Sequence, residues 1–251
     1  MDSRFCYGEN LEKERMFDVK EVLNIDLFTT LLLNGSKSLF LDGCVALFTS
    51  TYVWIPTMLI LTFLLYKNNR PGNFFLILAM IALTVICCDQ LSSSVFKPFF
   101  QRLRPTNNAE IMHLIDTVNG YRGFKYSFIS GHATNSFGVA IFLILLVKEK
   151  WFAMSLTLWA LLNSLTRTYL GVHYVGDIFI GMLVGVATGS IIYSLYRYLT
   201  RKNVRVIINY SSFKTKTGYL FKDLGLCQCF MYGTFIFIII FTGFKQGLVP
   251  F

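Results

Sequence analysis

Charge is scarce in this 251-residue chain. Asp, Glu, Lys and Arg make up 15% of it, while 54% of the residues are hydrophobic and 16% aromatic. Together with a mean hydropathy of +0.54, this composition excludes an ordinary soluble domain. Histidine is scarcer still, with 3 in the whole chain, so each one invites an explanation. The 6 cysteines, at positions 6, 44, 87, 88, 227 and 229, show no zinc-type spacing, and Cys87 and Cys88 fall inside an apolar run, so packing is their expected use. There is no internal repeat, low-complexity tract or soluble second domain. The opening residues, MDSRFCYGENLEKER, lack the basic-then-apolar layout of a cleavable signal, and no cleavage is expected.

Apolar sequence of span length is what the chain has in abundance. Runs at 45–66, 74–98, 133–147, 150–171 and 176–196, with a further one at 227–247, predict an all-α integral membrane bundle. It has five core transmembrane helices and a sixth at the C-terminus. The stretch FDVKEVLNIDLFTTLLLNG mixes Asp18, Lys20, Glu21 and Asp26 into an apolar pattern and stops at Asn34-Gly35. Such charges are costly in hydrocarbon, so a helix lying in the interface is expected. The expected divisions are an interfacial segment 1–44, a catalytic membrane domain 45–197, a basic cytoplasmic connector 198–226 and a terminal span 227–251.

The formal net charge of +9 does not point to nucleic acid once its distribution is read. Lys67 and Arg70 follow the first run, Lys148 and Lys150 lie between the third and fourth, and Arg197, Arg201, Lys202, Arg205, Lys214, Lys216 and Lys222 follow the fifth. These connections share one side of the bilayer, and positive loops face the cytoplasm. Topology accounts for this charge without a polyanionic partner.

The opposite side collects a different group. Lys97, Arg102 and Arg104 leave the second run, Arg122, Lys125, Ser130, Gly131 and His132 lead into the third, and Arg167, His173 and Asp177 span the turn between the fourth and fifth. Arginine and lysine neutralise phosphate oxygens, arginine through a bidentate fork. A Ser-Gly pair opening a helix offers a hydroxyl and backbone N–H groups to an anion. Histidine acts as nucleophile or proton donor near neutrality, and an acid four residues on can reach its ring and fix the tautomer. Gly171 breaks the helix, so that contact is expected across a turn. Asp89, inside VICCDQLSSSVF and eight residues before Lys97, is expected to support an active-site cation from below or to make an interhelical polar contact. Arg102, Arg122 and Lys125 read either as headgroup anchors or as contacts to a second phosphate.

Lys97, six residues, then Arg104-Pro105; SGH at 130–132; and TRTYLGVHYVGD at 166–177 together resemble the three motifs of the type 2 phosphatidic acid phosphatase superfamily, in order and in spacing. The lead-in DLFTTLLLNGSKSLFLD resembles the compact bacterial members. Ile129 stands where the second motif usually has proline, and Thr166 where the third usually has serine; threonine keeps the hydroxyl. The resemblance implies His173 as nucleophile, Asp177 as the group that orients it, and His132 as proton donor. It implies Lys97, Arg104, Arg167, Ser130 and Gly131 as phosphate-binding groups, with no metal and no cofactor. The implied reaction is hydrolysis of a phosphate ester or anhydride on a membrane lipid, at the periplasmic face of a bacterial inner membrane. Lipid A phosphate is favoured by the extra outer cations, with undecaprenyl diphosphate and phosphatidic acid or phosphatidylglycerol phosphate as alternatives. A vanadate-type haloperoxidase shares the pocket but is soluble, and a non-catalytic lipid-binding or transport protein has no need of both histidines.

Overall fold

The computed structural model describes residues 21–200 and 213–247. Among them the chain is helical with no strand, apart from the isolated bridges Leu103–Tyr126 and Lys214–Leu220. Helix α1 covers 21–33, α2 Leu39–Phe48, α3 Thr51–Asn68, α4 Pro71–Phe100, α5 Gly131–Val147, α6 Lys150–Tyr169, α7 Val175–Thr200 and α8 Phe221–Lys245. A helix therefore stands at every predicted run. Length and apolarity mark α4, α7 and α8 as able to cross a membrane singly, and α2 with α3 as a pair bent by 45°.

Helices α5 and α6, which stand at the third and fourth runs, do not meet that standard singly. Helix α5 is the centre of the bundle: Phe137, Ala140, Phe142, Leu143, Leu146 and Val147 are all buried, and it needs no polar face. Its tight partner is α7. A Cβ on Gly185 or Gly189 of α7 would collide with the carbonyl oxygens of Thr134 or Gly138 on α5, so a Gly-x-x-x-Gly spacing lets the two backbones touch. Helix α6 carries Ser155, Asn163 and Ser164 among its apolar residues. Asn163 donates to Ser136 of α5 at 2.7 Å and Ser155 meets Tyr232 of α8 at 2.5 Å, so these two are satisfied between helices, while Ser164 donates to the Ala160 carbonyl of its own helix at 2.7 Å.

Helix α4 begins with Pro71 at its first position, where no N–H is missed. Near its far end Leu91–Phe96 forms a wider, π-helical turn. Pro98 has no N–H and crowds the carbonyl one turn back, and the widened turn before it relieves that conflict. The hydroxyls of Ser92 and Ser93 both return to the Asp89 carbonyl, at 3.1 and 2.6 Å.

Helix α1 exposes Val22, Leu23, Ile25, Phe28 and Leu32 on an outward apolar face, and turns Asp26 and Thr30 towards the bundle. It stops at Asn34-Gly35, as the sequence suggests. Gly35 has φ +60°, and Asn34 clamps two segments, donating to the carbonyls of Tyr169 at 2.9 Å and Asp116 at 3.0 Å while accepting the Asp116 N–H at 2.8 Å. The first apolar run begins earlier than expected, with α2 at Leu39, and the last helix begins at Phe221, within the expected connector. Of that connector, 201–212 lies outside the described residues, as do Asp18 and Lys20.

Candidate active site

One end of the bundle gathers the C-terminal ends of α4 and α6, the N-terminal ends of α5 and α7, and the long connection from Gln101 to Ser130. Of the cations assigned above to topology, Arg70, Lys148, Lys150 and Arg197 stand at the other end of the same helices.

The turn between α6 and α7 is built by backbone bonds. Tyr169 ends α6, and Gly171 takes φ +69°, which costs other residues strain. A side chain there would also press on Ile115, Asn34 and the Asp116 carbonyl. The Arg167 carbonyl then accepts the N–H of both Val172 and His173, at 3.1 and 3.3 Å. Asp177, in the first turn of α7, caps that helix by accepting the Tyr174 N–H at 3.0 Å. His173 is thereby held outside the helices, 3% exposed, with Nδ1 3.5 Å from Asp177 Oδ2 and Nε2 3.5 Å from Arg104 Nη1.

These neighbours select a tautomer. Arginine only donates, so Nε2 beside it is the unprotonated nitrogen and Nδ1 carries the hydrogen towards Asp177. At 3.5 Å the Nδ1 contact is longer than a formed hydrogen bond, and such contacts tighten when substrate binds. Burial pulls the His173 imidazole down to about 4; the Asp177 carboxylate acts in the raising direction, and Arg104 and Lys97 in the lowering one. The ring is neutral at pH 7 and stays so well into acid, with its Nε2 lone pair available.

A cavity of about 480 Å³ opens in front of this ring, lined by Lys97, Arg104, Arg167, His132, His173 and Gly131, together with Asp89, Arg122, Tyr121, Gly123, Phe124 and Asn135. A second cavity of about 480 Å³ shares Tyr121, His132 and Arg167 with it and extends to Thr49 just after α2, Val118 and Leu170. Arg104 and Arg167 are buried, and the Nε of each meets no acceptor among the described residues. Unpaired guanidinium donors in a cavity this cationic suit an anion with several oxygens. Gly123 lies flat over Arg104, since a Cβ there would collide with the guanidinium.

Several expected residues are placed differently. Ser130 does not line the cavity: it is fully buried, its hydroxyl caps α5 by accepting the Ala133 N–H at 3.4 Å, and its N–H donates to the Asp177 carbonyl at 3.1 Å. It orients the helix end that Gly131 and His132 present. The Thr166 hydroxyl likewise turns away, donating to the Asn163 carbonyl at 2.7 Å. Among the accessory cations only Arg122 lines the cavity. Lys125 is exposed with its ammonium 5.2 Å from the Tyr126 ring, and Arg102 is held by two carboxylates, at 2.8 Å from Asp177 and 2.6 Å from Asp26. Asp89 faces the same cavity as Lys97. Sequence reasoning did not single out Asn135, although it follows His132 by three positions and so shares its helix face. It also passed over Tyr121, next to Arg122.

The PAP2 superfamily profile matches residues 73–201. The chain is 38% identical over 180 residues to the lipid A 4'-phosphatase of Porphyromonas gingivalis, covering 70% of this chain and 75% of that protein. It is 39% identical over 180 residues to the lipid A 4'-phosphatase of Bacteroides thetaiotaomicron, covering 71% and 80%. In fold it matches the transmembrane PAP2 type phosphatidylglycerolphosphate phosphatase from Bacillus subtilis, with a TM-score of 0.52 at 20% identity over 74% of this chain and 89% of that one. With apolar helices around a cationic cavity that holds two histidines, and with this match along its central half, the chain belongs to the PAP2 superfamily and is a multi-pass membrane lipid phosphatase, a phosphoric ester hydrolase.

Proposed function

We propose that this protein removes a phosphate from lipid A at the periplasmic face of the inner membrane, through a phosphohistidine on His173. The observation that carries the reaction is the placement of the His173 ring, with its Nε2 3.5 Å from Arg104 Nη1 on the wall of an arginine-lined cavity. In the first step Nε2 attacks phosphorus; the N–P bond forms as the P–O bond to the lipid breaks, and His132, protonated once the phosphate's negative charge lies beside it, gives its proton to the departing oxygen. The ring is now cationic, and the Asp177 carboxylate stabilises it. Water then attacks phosphorus, His132 takes the water proton, and the N–P bond breaks to release inorganic phosphate and restore His173. Lys97, Arg104 and Arg167 hold the equatorial oxygens, whose charge shifts during transfer.

Two features support lipid A. Two of the proteins named above, at 38% and 39% identity over 180 residues, are lipid A 4'-phosphatases. Arg122 adds a cation to a site whose two cavities meet at His132 and Arg167, room for a sugar headgroup with a second phosphate. Phosphate release from bis-phosphorylated lipid A, undecaprenyl diphosphate and phosphatidylglycerol phosphate tests this, with lipid A expected to give the highest kcat/KM. Arg122→Gln is expected to lower kcat/KM on bis-phosphorylated lipid A by about 10-fold or more, the scale of a charged hydrogen bond, and to leave a lipid with one phosphate unchanged. Equal activity on all three lipids, or equal losses in the variant, contradicts the assignment.

The basic residues at the far end of the bundle support a cytoplasmic location for that end and a periplasmic one for the cavity. In a cysteine-free background, a cysteine at position 69 is expected to label only from the cytoplasm and one at position 119 only from the periplasm. Labelling of both from one side refutes this orientation.

A further inference from the structure

Asp177 has two oxygens with different duties. Oδ2 accepts the Tyr174 N–H at 3.0 Å and approaches His173 Nδ1, whereas Oδ1 accepts from Arg102 Nη1 at 2.8 Å. The other end of that guanidinium, Nη2, donates to Asp26 Oδ2 at 2.6 Å, and Asp26 Oδ1 accepts the Gly176 N–H at 2.7 Å. One turn along α1, Thr30 accepts the Val175 N–H at 3.1 Å and donates to the Asp26 carbonyl at 2.7 Å. Helix α1 thus holds both the start of α7 and the arginine that grips Asp177. The Arg102 guanidinium lies 3.6 Å over the Tyr174 ring, which fixes its plane. Gly176 leaves just enough room, since a Cβ there would stand 3.0 Å from the Asp26 carboxylate.

We propose that Asp26 and Arg102 are positioning residues of the phosphatase reaction: the carboxylate of the interfacial helix keeps Arg102 on one oxygen of Asp177, so that the other stays on His173. This rests on the reading of His173 as nucleophile. An arginine paired with one carboxylate alone prefers the bidentate fork, taking both oxygens. Without Asp26, Arg102 rotates to that geometry and draws Oδ2 away from Nδ1. His173 then loses the partner that holds its tautomer and stabilises its cationic, phosphorylated form. Neither Asp26 nor Arg102 lines the cavity, so substrate affinity is not their concern.

The test is steady-state and single-turnover kinetics on the full-length protein in nanodiscs, with each rate divided by the folded fraction. Asp26→Asn is expected to lower kcat about 10- to 100-fold, the usual effect of displacing a catalytic group by about an ångström, and to leave KM within about twofold. Placed in an Asp177→Asn background, the same substitution is expected to change nothing further, because both act through one contact. Gly176→Ala, which crowds Asp26 without removing its charge, gives the same pattern more weakly and serves where Asp26→Asn folds poorly. A wild-type kcat per folded molecule, a loss expressed in KM, or an equal further loss on top of Asp177→Asn overturns the proposal. If His173→Ala is inactive while these outcomes appear, only the positioning role fails; if His173→Ala is active, the underlying mechanism fails with it.

Discussion

His173→Ala is expected to lower kcat by roughly 10⁴-fold or more, the scale on which a covalent nucleophile's removal is felt. The protein itself should survive the change. The turn carrying residue 173 is held by backbone bonds to the Arg167 carbonyl and by the Gly171 conformation, all of which alanine preserves. The side chain borders a polar cavity and not the apolar core, so its loss removes little packing. Residual activity is not expected to be recovered by Asp177, whose carboxylate is bonded to Arg102 and the Tyr174 N–H. The measurement is phosphate release per folded molecule beside a thermal unfolding curve. A folded variant with most of its activity contradicts a histidine nucleophile.

Arg167→Gln is expected to lower kcat about 10²- to 10³-fold on every lipid, with KM little altered, as when a donor aimed at transition-state charge is removed. Arg167 sits in the last turn of α6, 5% exposed, and lines both cavities, with a buried Nε that meets no acceptor among the described residues. Its fork therefore has donors ready for equatorial phosphoryl oxygens. The bonds that shape the next turn come from its carbonyl, so glutamine leaves the backbone intact. Arg167→Lys keeps the charge but loses the planar fork, and should recover only part of the rate. A loss confined to KM, or confined to bis-phosphorylated lipids, would place Arg167 on a non-reacting group instead.

Most of the bundle could be read from the chain because a bilayer imposes long apolar runs, and each run became a helix. The exceptions are physical. Helix α5 is only 17 residues long and is surrounded by protein, and α6 tolerates Ser155 and Asn163 because they find partners on α8 and α5. The site was legible where motif spacing is local: Lys97 to Arg104, and Arg167 to His173 to Asp177. Arg102 shows where that stops. Its charge and position beside Arg104 suggest another anion contact, yet its partners are Asp26 and Asp177, far away in both directions along the chain. Ser130 makes the same point more narrowly, since a serine before a helix serves equally as cap or as ligand, and here it caps. Asp26 looked like a charge that an interfacial helix must tolerate; folding turns it inward, where Arg102 and the Gly176 N–H satisfy it.

The most direct measurement is a rapid-quench experiment with a lipid substrate carrying ³²P on the phosphate that is removed. The expected result is label on the protein within the first turnover, acid-labile and stable to base, mapping to the peptide that contains His173. It should be absent from His173→Ala. Full-rate turnover with no labelled protein at any time, or label on a residue other than His173, contradicts the account.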